Sequence, residues 1–262
     1  MDHNMHGKNS LTYNLNICQI YFAPNMIPGQ VVPMKAKATN AESRQPLGVT
    51  AYEKIYQQIV TLGFEPGQHL EEKQLIEHLE MGRTPIREAL LRLVGENIVE
   101  SQPGRGYIVR PITLQNIKAA FEIMKILETG VVSLAVRQNV TPLLIKMEKA
   151  GAAVKSAIKN GDPLGLVEAN HAFHQYYAQC SYNEYLVRGI NQIRSEAKRL
   201  SYLSYANEVD PGISLSDHYD SVIREHDKII TCLRNKNEAL LKKTVLEHIK
   251  AFQRRIILFM ST

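Results

Sequence analysis

Leu75-Ile76-Glu77-His78-Leu79-Glu80-Met81-Gly82-Arg83-Thr84-Pro85-Ile86-Arg87-Glu88-Ala89-Leu90 decides how this chain is read. It joins a short amphipathic run to a tight turn and then to a second helix that starts with two arginines four residues apart. Arg83 and Arg87 share one face of that helix by the four-residue rule. Ile86, Ala89, Leu90, Leu93 and Val94 form the opposite face, with the spacing of a helix that packs inward. A helix with donors on its leading turn and an apolar underside has the geometry needed to enter the major groove of duplex DNA.

The surrounding sequence completes a small domain over residues 49–111. Thr50-Ala51-Tyr52-Glu53 predicts a capping box, followed by a helix carrying Tyr52, Ile55, Tyr56, Ile59 and Leu62 and stopping at Gly63. Pro66-Gly67 makes a turn, a second helix covers 71–80 and a third 83–96. Asn97 tolerates a left-handed backbone and admits a strand over 98–101. Gln102-Pro103-Gly104-Arg105-Gly106 then reverses the chain into Tyr107-Ile108-Val109, a β-hairpin wing.

Charge alone would not suggest a nucleic-acid partner. The 262-residue chain has a formal charge of +5 and 44% hydrophobic residues, with a pI near 9.0. Residues 49–110 carry seven basic side chains against nine acidic ones. Placement makes the argument, because five of those seven lie between Arg83 and Arg110.

After Pro111 the pattern is helical, with breaks at Thr113, Thr141-Pro142, Gly161-Asp162-Pro163, Ser181-Tyr182-Asn183, Asp210-Pro211-Gly212 and Asn235-Lys236-Asn237. One helix is expected from Asn183 to Tyr205. Apolar stripes such as Ile117, Phe121, Met124 and Leu127 predict a bundle of about six helices over residues 112–262. The fold class is therefore mainly α, a winged helix-turn-helix followed by an all-α bundle. Residues 1–48 lack periodicity and are expected to be a loosely ordered extension. Lys35-Ala36-Lys37 within it would suit a phosphate-contacting arm, with Met34 an alternative translation start. Cys18, Cys180 and Cys232 are odd in number, no cleavable signal is evident and no run approaches the roughly 20 apolar residues of a membrane span, so a reducing cytoplasm is expected.

The run from Tyr52 to Val109 resembles the winged helix-turn-helix of the GntR family of bacterial transcription regulators, through Glu65-Pro66-Gly67, Arg-Thr-Pro-Ile-Arg-Glu-Ala-Leu and Pro-Gly-Arg-Gly-Tyr. The resemblance implies DNA contacts at Lys73, Arg83, Thr84, Arg87 and Arg105, and a homodimer on a palindromic operator. Three positions depart from the pattern. Glu80 stands where the turn usually has glycine, Gly82 where a serine or threonine would cap, and Leu91 where a polar residue is commoner.

Residues from Leu114 to Phe259 resemble the FCD effector domain of the FadR subfamily. That resemblance implies a divalent metal ion, zinc, nickel or similar, held by Asn170, His174, His226 and His248, with an open position for a small organic acid. Asn170 and His174 sit one helical turn apart, while His226 and His248 lie on consecutive helices. Asparagine in place of aspartate should weaken the site and leave it partly occupied. Met124 replaces a usual arginine, and Arg194, Lys198 and Arg199 are substitutes by spacing for contact with the effector. Two alternatives stay open: a metalloenzyme, disfavoured because Glu225, next to His226 in sequence, points about 100° away from it, and a metal-free acyl-thioester sensor.

Overall fold

A computed structural model of the protein describes residues 45–260. The expectations for the extension, the basic stretch 35–37 and the alternative start fall on residues outside that range, apart from the last few positions before Gly48. Ten helices and one three-stranded sheet are formed among the described residues.

The first third contains α1 (Leu47–Val60), β1 (His69–Leu70), α2 (Glu72–Leu79), α3 (Arg83–Gly95), β2 (Val99–Gln102) and β3 (Gly106–Val109). The sheet order is β1-β3-β2, antiparallel throughout, with Leu70 opposite Tyr107 and Val99 opposite Val109. The two-residue β1 was not expected from the sequence. It is too short to show alternation, and it exists because β3 offers a free edge.

Two details of the first helix differ from the sequence reading. It begins one turn earlier, with Pro46 at its N-cap, so Thr50 lies inside the helix and no side-chain capping box forms. Pro46 has φ −54°, a value already suited to helix entry, and its carbonyl accepts from the amides of Val49 and Thr50. The helix also ends before Gly63, through Leu62 in a left-handed conformation at φ 64°. Asn97 adopts φ 60° as expected.

The turn between α2 and α3 shows what the unusual residues do. Glu80 is left-handed at φ 53° and ψ 40°, the conformation that glycine adopts without a Cβ penalty. Gly82 is the N-cap of α3 and provides no side-chain hydrogen bond. Beneath this turn, Ile86, Ala89, Leu90 and Leu93 are buried against Ala51, Ile55, Ile59 and Val60 of α1.

Seven helices follow: α4 (Leu114–Ala135), α5 (Thr141–Lys159), α6 (Pro163–Gln179), α7 (Glu184–Glu196), α8 (Lys198–Ala206), α9 (Leu215–Arg234) and α10 (Glu238–Phe259). Thr113, Asp162, Asn183, Ser214 and Asn237 cap their helices by accepting backbone N–H groups. The count is one more than the sequence suggests because the stretch 183–205 breaks at Ala197, where neither proline nor glycine marks it. Polar anchors, described below, hold the residues on both sides of the break. No helix among the described residues is long and apolar enough to cross a membrane, and Cys180 and Cys232 are free and buried.

One core lies between α4, α5, α6, α7, α9 and α10, around Phe121, Met124, Met147, Phe173, Tyr177 and Val245. A second starts under α3 and continues through Val154, Ala157, Leu166, Val167, Tyr205 and Val222 of α5, α6, α8 and α9. The winged part is therefore packed on the bundle through a shared apolar core.

Two substitutions test this account by urea unfolding. Leu90→Ala should lower the unfolding free energy by about 2–5 kcal/mol, because it leaves a cavity at the fully buried centre under α3. Glu80→Gly should raise it by about 1 kcal/mol by removing a side chain from a left-handed residue.

Candidate DNA-reading face and histidine centre

The exposed face of α3 carries Arg83, Thr84 and Arg87, with Lys73 exposed on α2. Arg83 and Arg87 are 71% and 55% exposed in their side chains, while Glu72 between them is 20% exposed. Their Nε groups donate to the two oxygens of Glu72, at 3.2 and 3.1 Å. Leu91 is exposed and lies one turn beyond Arg87 on the same face. Arg105 is exposed at the wing tip between Gly104 and Gly106, both with positive φ. Arg92 is engaged elsewhere, stacked 3.6 Å over the Tyr52 ring and paired with Glu96.

The second cluster lies inside the bundle. His174 of α6, His226 of α9 and His248 of α10 are buried, and each offers a ring nitrogen within 4.8 Å of the others. The Nε2 atoms of His174 and His248 are 3.1 Å apart. Two nitrogens bound to one metal at about 2.0–2.1 Å lie about 2.8–3.4 Å apart at angles near 90–110°, so this spacing suits a shared ion. Phe173 stacks on His226 with centroids 3.8 Å apart, fixing that ring's plane. Neither nitrogen of His226 has a protein partner, and Asn170 Oδ1, one turn before His174, is also buried without one. Unpartnered polar atoms are expensive in a core, so this convergence fits a ligand set.

The electrostatics point the same way. Desolvation first, and then neighbouring positive charge, hold His174 and His226 well below the ordinary imidazole range, leaving both neutral with available lone pairs. Burial lowers His171 and His218 to about 3. His248 Nδ1 donates to Glu225 Oε2 at 2.6 Å, which turns its Nε2 toward the centre. Glu225, next to His226 in sequence, thus engages His248 on the next helix and lines the same cavity as it.

The basic residues expected near the effector separate. Arg194 is buried and donates from Nε to Glu128 Oε1 at 2.6 Å, with Glu128 Oε2 3.8 Å from His174 Nδ1. It lines a cavity of about 20 Å3 together with Asn170, Ser201, Tyr205, His218, Glu225 and His248. Lys198 instead pairs with Glu168 and lies over the Tyr56 ring. Arg199 donates to the carbonyl of Arg110, where the wing joins the bundle. Neither lines that cavity. Arg255, which sequence reasoning missed, is buried nearby and donates to Ser204 and to the carbonyls of Ser204 and Asn207. The signal was the periodicity of α10: Arg255 lies three residues after Phe252 and seven after His248, on the buried stripe of the helix.

Comparison with known proteins settles the family. The model described as "Bacterial regulatory proteins, gntR family" matches residues 47–109, and that described as "FCD domain" matches residues 119–251, half of the chain. This chain belongs to the GntR family and carries an FCD domain. It is a transcriptional regulator of that family. The HTH-type transcriptional regulator YdhC of Bacillus subtilis is 25% identical over 199 residues, covering 75% of this chain and 85% of the relative. The HTH-type transcriptional repressor RspR of Escherichia coli is 21% identical over 212 residues, covering 81% and 90%. Among solved structures, E. coli McbR/YncC shares the fold, with a TM-score of 0.65 at 22% identity over 83% of this chain and 99% of that one.

The regulator's buried imidazoles predict a pH response in the metal-free protein. Unfolded histidines titrate near 6.5, whereas these rings resist protonation in the folded state. Below about pH 6.5 the unfolded chain therefore binds more protons, and stability falls as pH falls. For His171 and His218 the loss continues down to about pH 3, at up to about 1.4 kcal/mol per pH unit for each group. Urea midpoints measured with a chelator at pH 7.5, 6 and 5 should decline in that order, and a flat series would contradict the burial described here.

Proposed function

We propose that this regulator binds an inverted repeat as a homodimer through Arg83, Arg87, Thr84, Lys73 and Arg105. We further propose that its FCD domain holds a divalent ion, and that a small carboxylate beside the ion changes operator affinity. The observation that carries the effector half is the buried, neutral and unpartnered imidazole of His226 clustered with His174 and His248, beside the unpartnered buried Oδ1 of Asn170 one turn before His174. Bound there, a zinc- or nickel-like ion would supply a positive charge and an open position for a carboxylate oxygen.

The protein's own residues define the rest. Glu225 holds His248 in one tautomer, and Ser221 donates to the same carboxylate. That engagement leaves Glu225 poorly suited to act as the general base a metalloenzyme would need. A cavity of about 20 Å3 has room for little more than a water-sized group, which disfavours a long acyl chain. Arg194 faces this cavity and is the nearest cation for an entering carboxylate, in competition with Glu128. An effector of several heavy atoms would therefore have to widen the cavity, one side of which is formed by Arg194 of α7.

That side leads to the winged part. Two residues after Arg194, Glu196 accepts from Asn97 and pairs with Arg110 at 3.2 Å. Beyond the break at Ala197, Lys198 holds Glu168, which accepts from Tyr56 of α1 at 2.6 Å. A ligand that prefers one position of this segment shifts DNA affinity, because it then has different free energies in the two arrangements.

Two experiments test the two halves. Selection from a random duplex pool should yield an inverted repeat, and Arg87→Ala should weaken binding to it by about 1–3 kcal/mol, about 5- to 150-fold, at matched salt. Recovery of no preferred sequence by the wild-type protein would overturn the DNA assignment. Zinc or nickel should raise the thermal midpoint of the wild type, the shift should vanish in His226→Ala, and Asn170→Asp should retain more metal after dialysis. An identical metal-induced shift in wild type and His226→Ala would overturn the metal site.

A further inference from the structure

We infer that Glu72 is a specificity-determining residue, a carboxylate that holds both arginines of α3 in the orientation that reads bases. The inference rests on the reading of Arg83 and Arg87 as DNA-facing. Its basis is a shared contact: one oxygen of Glu72 accepts from Arg83 Nε and the other from Arg87 Nε, at 3.2 and 3.1 Å. One side chain at the first residue of α2 thus fixes two side chains on the first turns of α3.

The choice of nitrogen is the informative part. A guanidinium has five N–H donors, and its outer Nη edge is the one that meets guanine O6 and N7 in a bidentate contact. A carboxylate that merely competed with DNA would be expected at that outer edge. Glu72 bonds at Nε instead, on the stem side, and it is far less exposed than either arginine. The Nη groups have no other protein partner in the described structure, so the two outer edges remain available. Glu72 also offsets one of the two positive charges, in a segment that already carries nine acidic residues against seven basic ones. Attraction to any phosphate backbone is thereby reduced, and binding comes to depend on correctly aimed donors.

The experiment uses the full chain, a duplex selected by the wild type from a random pool, and a scrambled duplex of the same composition. Glu72→Gln keeps the side-chain size and removes the charge. It should bind the scrambled duplex no more weakly than wild type, with a log–log salt slope steeper by about one. It should bind the selected duplex about tenfold more weakly, so that the affinity ratio falls by at least that factor. A repeated selection with this variant should return a pattern relaxed at the base pairs where Arg83→Ala and Arg87→Ala also relax it. Glu72→Ala, with unchanged circular dichroism, should behave in the same way. The inference is overturned if both variants keep the ratio within twofold, if both duplexes gain affinity equally, or if reselection returns the wild-type pattern. If the wild type itself selects nothing, the DNA-facing reading fails and this inference with it. A wild type that selects a site, beside variants that select it equally well, removes the role of Glu72 alone.

Discussion

The bundle is organised around a polar centre that burial makes expensive. His174, His226, His248, Asn170, Glu128 and Arg194 are all at most 6% exposed. An apolar filling of the same volume would avoid the desolvation of each. The protein meets part of that cost with internal pairs: Arg194 with Glu128, and His248 with Glu225. It leaves the rest unmet at Asn170 Oδ1, His174 Nδ1 and both nitrogens of His226. Stability alone gives no reason to keep that deficit, whereas the proposed ion, coordinated there, would offset it.

The same constraint shapes the path outward. Arg194 cannot leave its place without exposing Glu128 as an unpaired buried charge, so α7 is tied to the centre through one residue. Glu196, the last residue of α7, meets the winged part, and after the break at Ala197 so do Lys198, over Tyr56, and Arg199, at the Arg110 carbonyl. On α6, Glu168 receives Tyr56 while Asn170, two residues later, faces the cavity. Burial raises the Tyr56 hydroxyl far above its ordinary range, so this contact stays a neutral donor on a carboxylate at any physiological pH. Two short segments therefore each touch the centre on one side and the DNA-binding part on the other.

Most of the architecture was legible because it rests on local signals. Thr113, Asp162, Asn183 and Asn237 cap helices where the sequence places boundaries, and Asn97 takes the left-handed turn its side chain allows. The losses are tertiary. Thr50 and Glu53 have the letters of a capping box, but the helix starts earlier at Pro46. Nothing local marks Ala197; the residues on either side of it, Glu196 and Lys198, are held by Asn97, Arg110 and Glu168, the first two distant in sequence and the third on another helix. Of the four positions expected as ligands, His174, His226 and His248 come together, as their helix register suggests, and Asn170 is buried one turn before His174. Lys198 and Arg199 do not join them, since the same spacing on one continuous helix ceases to hold across a break.

The two halves solve opposite electrostatic problems, and this explains why they coexist in one chain. In the centre, low polarity strengthens each unmet interaction, so a few atoms suffice to favour one ligand chemistry. On α3, water and salt weaken every contact, and a segment with more acidic than basic residues gains little from charge alone. Recognition there must come from aim, which exposed arginines lack unless something fixes them, because a free arginine loses much rotamer freedom on binding. Glu72 fixes them from one side, and the core under Ile86, Leu90 and Leu93 fixes the helix from the other. Since that core runs on through Leu166, Val167 and Tyr205 into the bundle, a rearrangement of α6 to α8 meets the underside of the reading helix before it meets solvent. Under the proposed function, the aim of the arginines is thus the property of the winged part that a change at the histidine centre would most directly disturb.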